Sequence, residues 1–195
     1  MLFRSDYFDY TTGMDELKVT QIIKEQTHRA LWSIINVISC IPHSEYERCY
    51  CDMPLWKHVY HTLHSLDQWY INPSKYIEPA FHVDNLNSLD VHTDKVLSKQ
   101  EVDEYLLAVT NKIETYIGRL DENLLLEKPE GCKWTRLTLI IAQLRHLQYH
   151  TGIIMNRITI ISQAANLTFD LFFTTDIINR AIPKTRFSMP MICHT

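Results

Sequence analysis

Apolar residues recur every three or four positions through four long stretches of this chain, and glycine rarely interrupts them. The chain has only 4 glycines among its 195 residues. Residues spaced in this way fall on one face of a helix, and that face must be buried against another element. The pattern therefore predicts an all-α fold built as a four-helix bundle. Because no shift in composition divides the sequence, we expect a single domain over residues 1–195.

The first two helices are predicted from their apolar stripes and from the residues at their ends. The first is expected from Met14 to Ile41, because Pro42 cannot continue it. The second is expected to start at Asp52, whose carboxylate can cap the first free amides, and to run to Tyr70. Pro54 would then lie in its first turn, where proline loses no hydrogen bond. The inward stripe of the first helix is expected to be Leu17, Ile22, Ala30, Leu31, Ile34 and Ile38.

The last two helices have clearer starts. The sequence Ser98-Lys99-Gln100-Glu101 is a capping box, which predicts a third helix from there to about Leu125. The fourth is expected from Thr135 to Ala164. It carries apolar residues on two sides, so we expect it to be the most buried helix of the four.

Two segments lack a sustained helical period. Ile71 to Leu97 is expected to be a long crossover connection with short helical turns, and connections of this length are more often functional than idle. In the final segment, Asn166 to Thr195, the stretch Thr168 to Ile182 is expected to form one more short helix that Pro183 ends.

Charge and composition exclude several classes of function. The net charge of -4, with basic residues scattered singly, argues against binding to nucleic acid. Met1 to Gly13 does not resemble a signal peptide, and no apolar run reaches membrane length, so we expect a soluble cytoplasmic protein without a membrane partner. The five cysteines lack zinc-ribbon spacing, and the Cys49 and Cys51 pair is expected to be reduced.

Histidines make the strongest candidate site. His146 and His150 lie four residues apart on the predicted fourth helix, so both imidazoles share one face and can bind one metal ion. A third ligand must come from elsewhere, and the second helix offers His58, His61 and His64. A helical wheel places His58 nearest the packed face, His61 at its flank and His64 almost opposite. Geometry alone therefore favours His58.

Two sequence motifs bear on that choice. The second helix contains Tyr60-His61-Thr62-Leu63 followed by Leu66-Asp67, and the fourth contains Leu144-Arg145-His146-Leu147-Gln148-Tyr149-His150-Thr151-Gly152. Over roughly Met14 to Met155 this combination resembles the DinB-like (YfiT-like) superfamily of metalloenzymes, whose members are four-helix bundles. The H-x-x-x-H motif alone is common, and the combination on two helices makes the resemblance specific.

The resemblance implies a site and a chemistry. One histidine of the second helix and the H-x-x-x-H pair of the fourth would bind a divalent metal, nickel or zinc, which assigns the ligands to His61, His146 and His150. Three protein ligands leave a coordination position open. The family implies a metal-dependent transferase, with a low-molecular-weight thiol as co-substrate, or a hydrolase. Its small-molecule substrate would lie against the connection from Ile71 to Leu97, and a homodimer is expected.

Two polar residues lie near the candidate ligands in the sequence. Gln143 and Asp67 are the nearest candidates to orient the imidazole rings, and Asp67 has the alternative of a salt-bridged helix residue. His82, His92 and His194 lie outside the motifs and receive no role.

Two further hypotheses stay open from the sequence. The chain could be a metal-binding or ligand-binding stress protein without turnover, in which case a residue such as His58 would fill the fourth coordination position. It could also be a purely structural bundle that dimerises through a helix face.

Overall fold

The computed structural model describes residues 18–50 and 52–164, and this part of the chain is mostly helical. The predicted helix from Thr168 to Ile182, the start of the first helix at Met14 and its stripe residue Leu17 lie outside the described residues. The helices and strands are α1 (Val19–Ser39), β1 (Cys49–Tyr50), β2 (Met53–Pro54), α2 (Leu55–Trp69), α3 (Lys99–Gly118), α4 (Glu122–Leu126) and α5 (Arg136–Ala164).

The four long helices pack around one core. α5 packs against α1 and α2, α2 also packs against α3, and α3 returns to α1. Each helix contributes side chains with no exposed surface, among them Ile34, Val59, Ile113 and Leu147. Within residues 18–50 and 52–164, no helix combines the length and the apolar character needed to cross a lipid bilayer.

The predicted inward stripe of α1 is confirmed at Ala30, Leu31, Ile34 and Ile38, which are buried, but it is wrong at Ile22. Ile22 is 39% exposed, and its neighbour Ile23 points inward instead. Ile23 lies seven residues, or about two helical turns, before Ala30. Its side chain therefore falls on the same face as Ala30, whereas that of Ile22 does not.

The predicted start of the second helix was wrong by three residues. The chain forms a short antiparallel hairpin first, with Cys49 opposite Pro54. Asp52 lies in its turn with a φ of 66°, a conformation that aspartate tolerates better than most residues, and therefore does not cap the helix. Pro54 is the N-cap residue, and α2 begins at Leu55.

The third helix begins with the predicted capping box. The backbone amide of Glu101 donates to Ser98 Oγ at 3.2 Å, and the backbone amide of Ser98 donates to Glu101 Oε2 at 2.8 Å. The helix ends at Gly118 rather than near Leu125. Asp121 starts the separate helix α4 by accepting the Leu124 amide at 2.8 Å, because its side chain satisfies a free amide that a continuous helix would have bonded internally.

The most buried helix is α2, which corrects the expectation for the fourth helix. Of the predicted apolar positions on α5, Ile141 and Met155 are each 52% exposed. On α2 even Lys57 and His64 are only 1% exposed. The helix is covered on its second side by the connection from residue 71 to residue 97, whose Phe81 ring lies 5.9 Å from Tyr60.

That connection contains one 3-10 turn, Pro73–Lys75, and is otherwise irregular. It is tied to the loop before α5, where Asn72 donates to the Glu130 carbonyl at 3.0 Å and Ser74 to the Gly131 carbonyl at 2.9 Å. The ammonium group of Lys57 donates to the carbonyl of Val91 further along. The first two bonds hold the connection to the loop before α5, and the Lys57 bond holds it to α2, the helix that carries His58, His61 and His64.

Candidate metal centre

The structure brings His61, His146 and His150 together. Their ring nitrogens include one atom from each residue that all lie within 4.8 Å of one another. The ring centroids are 5.5 Å apart for His61 and His146, 4.7 Å for His61 and His150, and 4.4 Å for His146 and His150. The rings are tilted by 49° to 58° rather than stacked, so their nitrogens can converge on one point.

Position on the helices explains this convergence. His146 and His150 lie one turn apart on α5, on the side that packs against α2. α5 turns its buried face, which includes Ile140, Leu147 and Ile154, toward the core. His150 belongs to this face and is 8% exposed, whereas His146 lies at its edge.

His61 is oriented by the connection. Its Nδ1 lies 2.7 Å from the main-chain oxygen of Asn87. A carbonyl oxygen can only accept, so this nitrogen carries the proton and donates it. With the proton on Nδ1, Nε2 is the nitrogen that can offer a lone pair for a ligand bond, an arrangement that metal-binding histidines commonly adopt.

The α5 pair is held neutral by its surroundings. Burial, with smaller contributions from His146, His61 and His58, lowers the pKa of His150 to about 3. Burial also lowers the pKa of His146, and nearby His61 adds to that effect. Both rings therefore lack the second proton near neutral pH and keep a lone pair available, as a metal ligand must.

His146 also has an unsatisfied atom. Its Nδ1 is buried and has no hydrogen-bond partner among the residues that the structure describes. Leaving a buried polar atom unpaired costs about 1–3 kcal/mol. A cation that accepted the lone pair of this atom would remove that cost, so the donor set fits a divalent metal.

The other two histidines of α2 lie elsewhere. His58 is buried and close enough to affect the pKa of His150, yet it is not a member of the three-histidine group. His64, which the helical wheel placed almost opposite the packed face, is buried under the connection and bonds to Glu78. The helical wheel gave the wrong environment for His64 because it assumes one buried face, whereas α2 is buried on two sides.

The two residues considered as ring-orienting groups have other partners. Gln143 Oε1 accepts from the Ser65 hydroxyl at 3.3 Å. Asp67 accepts from the Tyr105 hydroxyl at 3.0 Å and pairs with Lys112 at 2.5 Å, which matches the alternative of a salt-bridged helix residue. Asn87 makes a ring-orienting contact instead, through its main-chain oxygen to His61.

Sequence reasoning missed three residues of the connection. Glu78 and His82 form a second group of candidate ligand atoms with His64, and Asn87 contacts both groups. The available signal was weak: Glu78 and His82 are four residues apart in a segment whose length already indicated function. Without a helical period, nothing in the sequence placed their side chains on a common face.

Two cavities border the connection. The first, of about 390 Å³, is lined by residues that include Tyr76, Lys112 and Arg136. The second, of about 220 Å³, is lined by residues that include Lys57 and His92. None of the three grouped histidines lines either of them.

Comparison with known proteins adds no relative, since no family model, no curated protein and no solved structure matches this chain. The resemblance to DinB-like proteins therefore stays a prediction based on the two motifs.

Proposed function

We propose that His61, His146 and His150 bind one divalent metal ion, nickel or zinc, and that this centre is the functional site of the protein. The observation that carries the proposal is the convergence of one nitrogen from each imidazole within 4.8 Å. The rings come from two different helices, so chance along one helix does not explain the arrangement. The Asn87 carbonyl further supports it, because it fixes the proton of His61 on Nδ1 and leaves Nε2 as the candidate ligand atom.

Three ligands favour a catalytic centre over a purely structural one. Structural zinc sites are closed by four protein ligands, whereas catalytic sites keep a position open for water or substrate. His58, which is close enough to lower the pKa of His150, is not within the group. A bound divalent ion would supply Lewis acidity at the open position and lower the pKa of water or a thiol there.

The residues around the ion have definite tasks in this proposal. The three imidazoles hold it as neutral donors, and the buried side of α5 shields His150 from water. The connection positions His61 through Asn87 and would contact a small substrate. We propose a DinB-like four-helix bundle that acts as a metal-dependent transferase, with a low-molecular-weight thiol as co-substrate, or as a hydrolase.

Metal analysis of tag-free protein tests the centre itself. We expect one tightly bound equivalent of zinc or nickel in the parent and its loss in the double variant His146→Ala with His150→Ala. A matched double variant, His43→Ala with His92→Ala, removes two exposed histidines outside the group and should keep the metal. Tight metal retained by the first variant would refute the site.

A thiol-consumption screen tests turnover. The metal-loaded protein is mixed with a small thiol and a panel of electrophiles, and the loss of free thiol is followed over time. We expect activity in the parent and a loss of more than about 100-fold in His61→Ala, the upper end of what removing even an outer partner of a metal site costs. Equal rates in both would show that the metal is not the catalyst.

The second candidate is a metal-binding stress protein without turnover. The observation that favours it is that neither described cavity is lined by the three histidines. Stoichiometric metal without activity toward any electrophile or hydrolysable ester would support it.

A further inference from the structure

We propose that His64, Glu78 and His82 form a second, weaker divalent-cation site, separate from the three-histidine centre. Each residue offers one ligand atom, and these atoms lie within 4.8 Å of one another. Two imidazoles with one carboxylate form a ligand set that also occurs in catalytic zinc sites. None of the three atoms belongs to the first centre, so the two sites can be occupied independently.

Both histidines already lie within 4 Å of one carboxylate oxygen of Glu78. Glu78 Oε2 lies 2.7 Å from Nε2 of His64 and 3.7 Å from Nδ1 of His82. It also accepts from the Tyr76 hydroxyl at 3.2 Å. With both imidazoles neutral the cluster carries one negative charge, which a dication would more than offset. His64 is buried, whereas the Glu78 side chain is 45% exposed, so an ion can reach the cluster from solvent.

The metal-free cluster is closed by hydrogen bonds. The amide nitrogen of Asn87 lies 3.2 Å from Nδ1 of His64, an arrangement in which the amide donates and the proton of the ring is on Nε2. Nε2 then donates to Glu78. For the ion to bind Nε2, this proton must move to Nδ1 through solvent, and the Asn87 amide must turn so that its oxygen accepts it. The ring stays neutral throughout.

His82 must also move. Its ring is nearly parallel to that of His64, with centroids 4.9 Å apart and planes 26° apart, so one ion cannot lie in the plane of both rings. Its Nδ1 is 2.8 Å from the Tyr60 hydroxyl. His82 lies in the irregular connection, so rotating its ring disrupts no helix. These two rearrangements oppose binding and make this site weaker than the first, where His61 needs none.

Asn87 links the two sites. Its main-chain oxygen accepts from His61, while its side chain contacts His64. Both histidines therefore turn Nδ1 toward Asn87 and Nε2 toward their own group. A substitution of the Asn87 side chain acts on the second site and leaves the main-chain acceptor of the first in place.

Cobalt titration of tag-free, metal-free protein tests the proposal, because absorption of bound Co²⁺ reports each site. We expect two equivalents in the parent, the second weaker. Glu78→Gln with His82→Ala should keep the tight equivalent and weaken the other by more than about 100-fold. His146→Ala with His150→Ala should lose the tight equivalent and keep the weaker one. The control His92→Ala, in the same connection, should bind both.

The outcomes separate the two proposals. A single equivalent that survives Glu78→Gln with His82→Ala would overturn the second site and leave the first intact. Binding that survives His146→Ala with His150→Ala but not the other double variant would refute the first centre and support the second. A single equivalent lost in both double variants would overturn the claim of two independent sites. Circular dichroism of each variant checks that it folds.

A substitution at Asn87 tests the tautomer argument. Asn87→Asp supplies a carboxylate that accepts the proton of His64 Nδ1 without any rotation, so we expect the weaker equivalent to bind about tenfold more tightly. Asn85→Asp makes the same charge change at an exposed position nearby and should have little effect. Equal affinities in the two variants would contradict the assigned role of Asn87.

Discussion

Nδ1 of His61 donates a hydrogen bond to the main-chain oxygen of Asn87 over 2.7 Å, and this contact distinguishes His61 from the other histidines of its helix. It joins α2 to the connection that covers it and fixes which nitrogen of His61 faces the pair on α5. A backbone acceptor cannot be lost by a side-chain substitution, so the orientation of His61 depends on where the connection lies.

The choice among the α2 histidines can be tested directly. His61→Ala should weaken zinc binding at the tight site by more than about 100-fold, because it removes a ligand and not only an outer partner. His58→Ala should change that affinity by less than about tenfold, since His58 is outside the group. Competition with a chromogenic chelator measures both. The reverse order of effects would make His58 the ligand, as wheel geometry suggests.

Acid should destabilise the metal-free protein. The pKa of His150 is about 3 in the folded chain against an ordinary value of 6.5, so between these values the unfolded chain binds more protons. The contribution of the neutral His150 ring to the free energy of unfolding is complete above pH 6.5 and is lost as the pH falls toward 3. From about pH 7.5 to about pH 5.5 this one group should cost about 1 kcal/mol, and the lowered pKa of His146 acts in the same direction.

Urea unfolding at the two pH values measures that loss. The variant His150→Gln cannot titrate at this position and should lose about 1 kcal/mol less than the parent over the same interval. An identical pH dependence in parent and variant would show that His150 is not buried in its neutral form.

A buried hydroxyl pair joins α1 to the end of α2. Thr27 Oγ1 donates to the Ile23 carbonyl at 2.7 Å, which leaves the Tyr70 hydroxyl to donate to Thr27 across 2.6 Å. Thr27→Val leaves the Tyr70 hydroxyl buried without its acceptor and should cost about 1–3 kcal/mol. Tyr70→Phe removes that donor altogether and should cost about 0.5–1.5 kcal/mol. Chemical denaturation of both variants compares them, and a larger loss for Tyr70→Phe would reverse the assigned donor.

The loop before α5 needs a glycine. Gly131 has a φ of +75°, and a Cβ there would lie 3.3 Å from Cβ of Ser74, whose hydroxyl donates to the Gly131 carbonyl. Gly131→Ala should therefore lower stability by about 1–2 kcal/mol, from left-handed backbone strain and the close contact. Gly118→Ala is the matched control, because a Cβ at Gly118 meets no atom within 4 Å and its φ is ordinary. Thermal unfolding should show a loss only for Gly131→Ala.

The sequence alone was sufficient for the helices and for part of the site. Periodic apolar residues, the capping box at Ser98 and the break at Pro42 are local signals, and the structure contains four long helices near the predicted ranges, with the third ending at Gly118 instead of near Leu125. The pair His146 and His150 follows from helical spacing, which places residues four apart on one face whatever the rest of the chain does.

Only the tertiary structure decided what surrounds those residues. The irregular connection brings Glu78, His82 and Asn87 to α2, buries His64 on the side that a helical wheel assigns to solvent, and selects the orientation of His61. These contacts join residues far apart in the chain through a segment without a period, so no local pattern encodes them. The burial of α2 on two sides, and with it the arrangement of both histidine groups, comes from packing.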